Sequence, residues 1–279
     1  MKQRNVYKIV GYIIKSFIDP RFFRSNFEDY KVIDDKKVDL VVNMKINTNK
    51  RLPSFAKDVD EYKYYYFENE SHCYFYKKNK YVISCNLYIS VQEASSIDIF
   101  VSEENYDLAI IKKEITYSFM DSFYSFLTEK GIFCLHSCGF SINDKGILIS
   151  GAPGSGKSTL ANELSKCFLV RYVGEDVNAC KVEMTFWGMP WCRVNNNTFS
   201  SIDVIIFLGD RNMELKEDDI YKLLMKSEFS MNWLPSSCLT ARKLSTVINQ
   251  KVKCFMLKNT KDEIIINRLK KIVEEIVYV

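Results

Sequence analysis

Glycine, proline and histidine are scarce in this chain. It has 10 Gly, 5 Pro and 2 His among 279 residues, which excludes collagen-like and linker-dominated architectures. Its 47% hydrophobic and 27% charged residues exclude wholesale disorder. A chain of this length can bury a sizeable core without disulfide or metal staples. The composition therefore indicates a globular protein with one large domain or two ordinary ones.

Closely spaced metal ligands are also lacking. The nine cysteines are scattered along the chain without a Cys-x-x-Cys pair, so we expect no zinc site. Most of them occupy apolar or strand-like positions, which is typical of reduced core thiols. We therefore expect a cytoplasmic protein.

Charge of one sign and long apolar runs are absent too. Lys and Arg total 39 against 35 Asp and Glu, and the net charge of +4 is spread over both halves. Nucleic acid is therefore not an expected partner. The apolar stretch 6–18 contains two lysines and precedes no small-residue cleavage site, so we expect neither a signal peptide nor a membrane span.

The first half of the chain changes from helical to strand-like patterns. Apolar residues recur at helical spacing over 6–18, and Pro20 follows, so a short amphipathic helix is predicted there. A small antiparallel sheet is predicted next, followed by a long helix at 106–130 that Gly131 ends. Its strands are expected at 38–46, 62–67, 73–76, 81–89 and 97–101. Residues 1–130 are thus predicted to form an α+β lobe, a candidate region for binding an acceptor.

Residues 131–279 alternate strand and helix patterns, which predicts an α/β domain. Strands are expected at 133–142, 147–150, 168–173, 204–208 and 251–257, and helices from 157 and at 218–225, 239–248 and 262–277. The sequence indicates no oligomeric state.

The start of this domain carries the pattern G-x-x-x-x-G-K-[ST] between an apolar strand and a helix, the context of a phosphate-binding loop. Its glycines let backbone NH groups point at phosphate oxygens. Lys157 is expected to reach the β and γ phosphates of ATP, and the Ser158 hydroxyl to bind Mg²⁺. The nucleotide-binding residues predicted are Gly151, Ala152, Pro153, Gly154, Ser155, Gly156, Lys157, Ser158 and Thr159.

His136 and an acidic pair are the predicted neighbours of this loop. With Asn143 facing Gly146 in a hairpin, His136 falls opposite about Pro153. Glu175 and Asp176 end the strand that follows the loop's helix, and we expect that strand beside the loop's own strand. One carboxylate would hold Mg²⁺ and the other would accept a proton from an attacking hydroxyl. The structural alternatives are a core histidine and a solvated acidic turn.

Asp210 is the competing acidic candidate. It follows the apolar stretch 204–208, which looks like a Walker B strand, but Gly209 intervenes and Arg211 follows. An ATPase would use Asp210, whereas the position of Glu175 and Asp176 favours them as the functional acids.

Taken together, His136, the phosphate loop, the acidic pair and the segment Trp187-Gly-Met-Pro-Trp-Cys-Arg resemble the HPr kinase/phosphorylase family. The likeness covers 131–279 and is nearest to shorter relatives that act as serine kinases, including those linked to peptide natural products. It implies a fold akin to phosphoenolpyruvate carboxykinase and transfer of the ATP γ-phosphoryl group to serine.

Carried onto this chain, the resemblance makes Asp176, Glu175, Lys157 and His136 catalytic and gives Mg²⁺ to Ser158 and Asp176. Pro190, Trp191 and Arg193 would lie on the acceptor side. The family usually has two aspartates where this chain has Glu175 and Asp176, which leaves open which acid is the base.

Three functions follow as hypotheses. The first is an ATP- and Mg²⁺-dependent kinase that acts on a serine in a peptide or protein, or on free serine. The second is a nucleotide-gated regulatory protein that orders a loop for a partner without phosphoryl transfer. The third is an ATPase that uses Asp210.

Overall fold

The structure, a computed structural model, describes residues 5–19, 22, 25–33, 37–46, 57–58, 64–69, 72–77, 82–90, 93–101, 108–192, 198–228, 235–260 and 263–278. The chain divides into two compact units, Met1–Glu129 and Lys130–Val279. Each unit has its own sheet with both parallel and antiparallel strand pairs. The protein is therefore of mixed α/β class, with five α-helices within the described residues.

In the part of it that the structure describes, the first unit contains an eight-stranded sheet and one α-helix. In chain order its elements are β1 (Asn5–Ile9), β2 (Tyr12–Ser16), a 3₁₀ helix (Ser25–Tyr30), β3 (Leu40–Ile46), β4 (Lys57–Asp58), β5 (Tyr64–Asn69), β6 (His72–Lys77), β7 (Val82–Tyr88), β8 (Ser95–Val101) and α1 (Leu108–Glu129). The strand order is β1-β2-β3-β8-β7-β6-β5-β4. The predicted long helix and the predicted strands between 38 and 101 are confirmed to within a few residues.

The helix predicted over 6–18 is wrong, because β1 and β2 form an antiparallel hairpin there. Val10 and Gly11 have φ of 55° and 89° and turn the chain. The β-branched residues that fall at helical spacing also favour strands. Lys8 is exposed, whereas Tyr7 and Ile9 on either side of it are buried.

The sheet of this unit is mixed, whereas the sequence predicts an antiparallel one. β3 runs parallel to both β2 and β8. The reason is topological: the chain crosses over between β2 and β3, and the hairpins from β4 to β8 return to the edge of β3. Hairpin spacing predicts the antiparallel pairs of β5, β6, β7 and β8 but not these crossovers.

Within its described residues, the second unit contains nine strands and four α-helices. They are β9 (Phe133–Ile142), β10 (Lys145–Ser150), α2 (Lys157–Ser165), β11 (Arg171–Gly174), β12 (Val177–Lys181), β13 (Thr185–Gly188), β14 (Phe199–Ser201), β15 (Val204–Gly209), β16 (Met213–Glu214), α3 (Glu217–Ser227), α4 (Pro235–Lys251), β17 (Lys253–Lys258) and α5 (Glu263–Val277). The order is β14-β13-β12-β9-β10-β15-β17-β16, with β11 also paired to β9.

Two layers of helices cover this sheet. One core cluster contains Ile220 of α3 and Leu244 of α4, and the other contains Leu160 of α2 and Leu269 of α5. Since β10, β15 and β17 run parallel, their carboxyl ends meet at one edge of the sheet. The predicted α/β alternation is confirmed, whereas β12, β13, β14 and β16 lie outside the predicted strands.

The turn between β9 and β10 differs from the predicted one by a shift of register. Asn143 and Asp144 form it, with φ of 47° and 62°, and Ile142 pairs with Lys145. Asn and Asp tolerate this left-handed conformation better than the predicted pair Asp144-Lys145. His136 therefore falls opposite Gly151 in the continued register, two residues before the predicted Pro153.

In the part of the chain that the structure describes, no helix is long and apolar enough to cross a membrane. Eight cysteines there have free thiols; six are buried, while Cys167 and Cys238 are exposed.

Candidate functional site

The phosphate-binding motif forms the connection between β10 and α2. Gly154 and Gly156 have φ of 73° and 87°, a region that residues with a side chain rarely adopt. No atom lies within 4 Å of where a Cβ would stand at either position. Ala152, Pro153 and Gly154 are exposed. The loop thus presents open backbone, and the amino end of α2, to solvent.

Lys157 lies across this loop as the first residue of α2. Its Nζ donates hydrogen bonds to the carbonyl oxygens of Gly151 (3.0 Å) and Ala152 (3.2 Å). Only 8% of the residue is exposed. Burial lowers the pKa of the Lys157 ammonium, and the carboxylate of Asp176 acts in the opposite direction. Two backbone carbonyl oxygens thus bind the Lys157 ammonium, and the oxygens of a bound anion could replace them.

The amino end of α2 is also suited to bind an anion. Gly156 is the N-cap and supplies no side-chain acceptor for the first-turn NH groups. Such groups have no partner within the helix, and the helix dipole is positive there. Ser158 is partly exposed and Thr159 is exposed in the same turn.

The acidic pair occupies a kink between β11 and β12. Both strands pair with β9, through Gly174 with Gly139 and Val177 with His136. Asp176 has φ of 73°, and the amide of Val177 donates to the carbonyl oxygen of Glu175 at 3.0 Å. This three-residue turn is strained for a residue other than glycine. Glu175 and Asp176 thus lie at the bend between the two strands, and the surrounding contacts must offset the strain of this turn.

The predicted neighbour of the acidic strand is wrong. β9 separates β11 and β12 from β10, so the acidic strand does not pair with the loop's own strand. Ser137 of β9 pairs with Ser150 on one side and donates to the carbonyl oxygen of Asp176 on the other, at 3.1 Å. Two strand spacings, about 10 Å, thus separate the backbones of Asp176 and Ser150.

Asp176 nevertheless acts electrostatically on the loop lysine from the other side of β9. The carboxylate of Asp176 raises the pKa of both Lys157 and His136 against the stronger effect of burial. Burial also raises the pKa of the Cys138 thiol to about 12, and Glu175, Lys157 and Asp176 all act on that thiol. The ammonium and the two carboxylates therefore act electrostatically on the same residue of β9, Cys138.

His136 lies at the junction of these groups. It pairs with Val177 beside the acidic turn, and its carbonyl oxygen accepts a hydrogen bond of 2.9 Å from the Ser150 hydroxyl, just before the loop. Burial and then the Lys157 cation lower the pKa of its imidazole, with Asp176 opposing them. The side chain is therefore neutral near pH 7.

Asn178 is a site residue that sequence reasoning missed. It is fully buried, and its Nδ2 donates to the carbonyl oxygens of Ser137 (3.0 Å) and Gly174 (3.2 Å) and to the Ser137 hydroxyl (2.9 Å). These bonds fasten both sides of the acidic kink. An asparagine between the apolar residues Val177 and Ala179, directly after the acidic pair, is the sequence signal that could have revealed it.

Pro190 and Trp191, two of the predicted acceptor-side residues, lie in the turn that follows β13. Pro190 and Trp191 are buried, Trp191 with 5% exposure. The neighbouring Cys192 thiol donates to the carbonyl oxygen of Val177 at 3.5 Å, and burial together with Asp176 and Glu175 raises its pKa to about 12. This turn thus lies against the acidic kink. Arg193 lies outside the described residues.

Asp210 follows β15, the parallel neighbour of β10. Its side chain is 83% exposed, and its carboxylate lies 3.5 Å from the Arg211 guanidinium. Asp176, and not Asp210, is the carboxylate that acts on the pKa of Lys157.

Magnesium is the metal that the motif implies, and the residues present fit it. Among the described residues, no three His, Cys, Asp or Glu side chains cluster as a metal cage. Mg²⁺ bound with a nucleotide commonly takes one or two protein oxygens and fills its other positions with phosphate and water. The hydroxyl of Ser158 and the carboxylate of Asp176 are oxygen donors of this kind.

No family model matches the chain, and no curated protein is significantly similar to it. The chemistry of the site is that of an open phosphate loop, a buried lysine and two carboxylates on a strained turn.

Proposed function

We propose that the protein is an ATP- and Mg²⁺-dependent kinase that transfers the γ-phosphoryl group to a serine hydroxyl of a peptide or protein. In this proposal, 131–279 is a P-loop catalytic domain of HPr kinase-like type. The observation that supports it is the position of the acidic turn one strand away from the loop: Ser137 of β9 pairs with Ser150, the residue before the loop, and its NH donates to the carbonyl oxygen of Asp176. A carboxylate there can accept the proton that an alcohol loses when it attacks phosphorus.

Nucleotide binding would use the loop and the lysine. The backbone NH groups of 151–159 would hold the β and γ phosphates, and the Lys157 ammonium would exchange its carbonyl partners for phosphate oxygens. Ser158 and Asp176 would hold Mg²⁺, which neutralises charge on the phosphates when bound. Lys157 and the α2 dipole stabilise the negative charge that collects on the leaving ADP.

The transfer step is a displacement at phosphorus. The serine oxygen forms a bond to the γ-phosphorus while the bond to the β-γ bridging oxygen breaks, and ADP leaves with that electron pair. The hydroxyl proton passes to the carboxylate of Glu175 or Asp176. Burial and the Lys157 cation lower the pKa of the His136 imidazole, so a neutral His136 would support this carboxylate and leave its negative charge intact.

A peptide or protein is the acceptor that we favour, with free serine as the alternative. The turn at Pro190 and Trp191 lies against the acidic kink through Cys192, so it is the segment proposed to contact the acceptor. The first unit contributes an eight-stranded sheet, and a free sheet edge is a common binding place for an extended peptide.

Mass spectrometry of acceptors tests the proposal. The protein is incubated with Mg²⁺ and ATP and with either free serine or serine-containing peptides, and a mass gain of one phosphoryl group is sought. Lys157→Ala and Asp176→Asn should abolish the gain, whereas Asp210→Asn, the same chemical change at an exposed carboxylate, should keep it. Circular dichroism checks that each variant is folded.

Two other outcomes would replace this function with another one, and a third would change its acceptor. Release of phosphate without any acceptor, lost in Asp210→Asn but kept in Asp176→Asn, would make the protein an ATPase. Partner binding that ATP and a non-hydrolysable analogue promote equally, with no phosphorylated product, would make it a nucleotide-gated regulator. Efficient transfer to free serine alone would remove the peptide preference.

A further inference from the structure

A hydrogen bond from a residue far away along the chain binds the phosphate loop. Asn259 follows β17, and its Nδ2 donates to the carbonyl oxygen of Ser155 at 2.9 Å, across 104 residues of chain. This hydrogen bond reaches the segment 151–156 from outside both the loop and α2. The other loop bonds are internal, such as the Ser155 amide donating to the carbonyl oxygen of Ala152 at 3.1 Å.

Asn259 is itself fixed at the carboxyl ends of the parallel strands. Its backbone NH donates to the carbonyl oxygen of Gly209, the last residue of β15, at 3.0 Å. The preceding Lys258 donates its NH to the Asn212 Oδ1 at 2.9 Å. One asparagine thus links the ends of β15 and β17 to the loop that follows β10.

The bonded carbonyl determines the direction of an important amide. Ser155 C=O and Gly156 N–H belong to the same trans peptide plane and point in opposite directions. Holding the carbonyl toward Asn259 therefore aims the Gly156 NH away from β17 and into the loop. Gly156 is the N-cap of α2, at the point where a bound anion meets the helix.

The bond from Asn259 also differs from the lysine's bonds in what nucleotide would do to it. Lys157 must release the carbonyls of Gly151 and Ala152 to reach a phosphate. The amide of Asn259 binds the Ser155 carbonyl oxygen, on the edge of the peptide opposite the Gly156 NH, so this bond can stay in place. The loop then keeps an external support when its lysine turns away.

We infer that Asn259 is a positioning residue, which orients the Ser155–Gly156 peptide so that the Gly156 amide faces the phosphates of a bound nucleotide. This inference rests on the nucleotide-binding part of the proposed function and is independent of the acceptor. Asn259 acts through the loop backbone and need not touch the nucleotide.

Nucleotide affinity and one amide resonance test the inference. Asn259→Leu removes the donor at similar size without adding charge, and it should weaken binding of Mg-ADP about ten-fold, measured by calorimetry. Asn212→Ala removes a support of the same segment that does not touch the loop, and it should change affinity within about two-fold. Asn259→Gln keeps the amide and should restore part of the loss.

The ¹⁵N resonance of Gly156 separates this inference from the proposed function. Because it shares a peptide plane with the Ser155 carbonyl, it should shift in Asn259→Leu and not in Asn212→Ala, even without nucleotide. If the wild-type protein bound no nucleotide but Asn259→Leu still shifted the Gly156 resonance, the proposed kinase function would be refuted. The contact of Asn259 with the loop would then still be confirmed. Equal affinity losses in Asn212→Ala and Asn259→Leu, or an unmoved Gly156 resonance, would overturn the inference.

Discussion

The buried amide of Asn178 donates a hydrogen bond of 3.2 Å to the carbonyl oxygen of Gly174, across the acidic turn that separates the two residues. The same nitrogen also reaches the carbonyl oxygen and hydroxyl of Ser137. The strained backbone of Asp176 is therefore held from β12 and from β9 at once. A buried polar side chain with this many bonds makes the carboxylate geometry dependent on one residue.

Replacing Asn178 should loosen the acidic turn. Asn178→Ala loses three hydrogen bonds in a fully buried place, and we expect about 2–4 kcal/mol lower free energy of unfolding in urea. Phosphoryl transfer should fall more than nucleotide affinity, because the loop itself is not touched. The matched control is Asn162→Ala, which removes an exposed partner of the Tyr172 hydroxyl and should cost less than about 0.5 kcal/mol. Unchanged stability of Asn178→Ala would contradict the role of this bond network.

The pKa of His136 should report the charges on both sides of it. Burial lowers this pKa from 6.5, the Lys157 cation lowers it further, and Asp176 raises it. We therefore expect Lys157→Met to raise the pKa of His136 and Asp176→Asn to lower it, measured by NMR titration of the imidazole CH resonances. Lys166→Met, at an exposed lysine paired with Glu163, should leave it unchanged.

A stability change accompanies that titration. Because the pKa is lower in the folded state than in the unfolded chain, protons bind the unfolded chain preferentially below about pH 6.5. The contribution of His136 to stability is therefore present above that pH and is lost as the pH falls. A lower pKa of His136 in Lys157→Met, or a higher one in Asp176→Asn, would show that the Lys157 and Asp176 charges do not act on His136 as expected.

Local patterns in the sequence predicted the phosphate loop and most helices of the second unit. The loop motif requires left-handed glycines and a helix start, and Gly154, Gly156 and α2 supply them. The apolar spacing in α5, which buries Ile265 and Leu269, is periodic enough to identify a helix by itself.

The features that failed depend on distant parts of the chain. No local pattern says that β9, a strand preceding the loop, lies between β10 and the acidic strand. The roles of Asn178 and Asn259 arise from hydrogen bonds over 41 and 104 residues. At 6–18 the β-branched residues satisfy helix and strand spacing alike, and the left-handed turn at Val10 and Gly11 decides for the hairpin.

Glu228 should make the protein less stable as the pH rises. It follows α3, bridges to Leu135 of β9 and accepts a hydrogen bond from the buried Ser237 hydroxyl. Burial raises its pKa from 4.5 to about 7, and the Ser237 bond partly opposes this. The folded protein thus binds this proton more tightly than the unfolded chain, so the stability that it contributes is lost from about pH 4.5 to above pH 7.

Glu228→Gln should remove this dependence. The wild type should lose on the order of 2–3 kcal/mol between pH 5 and pH 8 through this group, measured by urea unfolding at each pH, whereas the variant should lose less by that amount. Glu163→Gln, at a surface carboxylate paired with Lys166, should keep the wild-type slope. An unchanged slope in Glu228→Gln would show that Glu228 titrates normally.

Gly188 should tolerate no side chain, because it lies where β13 passes against β11. A Cβ there would stand 2.0 Å from the carbonyl oxygen of Val173, and backbone cannot move aside as a flexible side chain can. We expect Gly188→Ala to lower the free energy of unfolding by about 3 kcal/mol. Gly131→Ala is the matched control: its φ is 73° but it has open space, so left-handed strain alone should cost about 1–2 kcal/mol.

Gly188→Ala should weaken the binding of the acceptor more than the binding of nucleotide. Gly188 pairs with Asn178 and leads into the turn at Pro190 and Trp191, so a displaced β13 moves that turn relative to the acidic kink. At a temperature where the variant is folded, the KM for a serine peptide should rise while the affinity for Mg-ADP stays near the wild-type value. Equal stability losses in Gly188→Ala and Gly131→Ala would show that β13 and β11 are not in close contact. An unchanged KM in a destabilised variant would instead separate this turn from the acceptor.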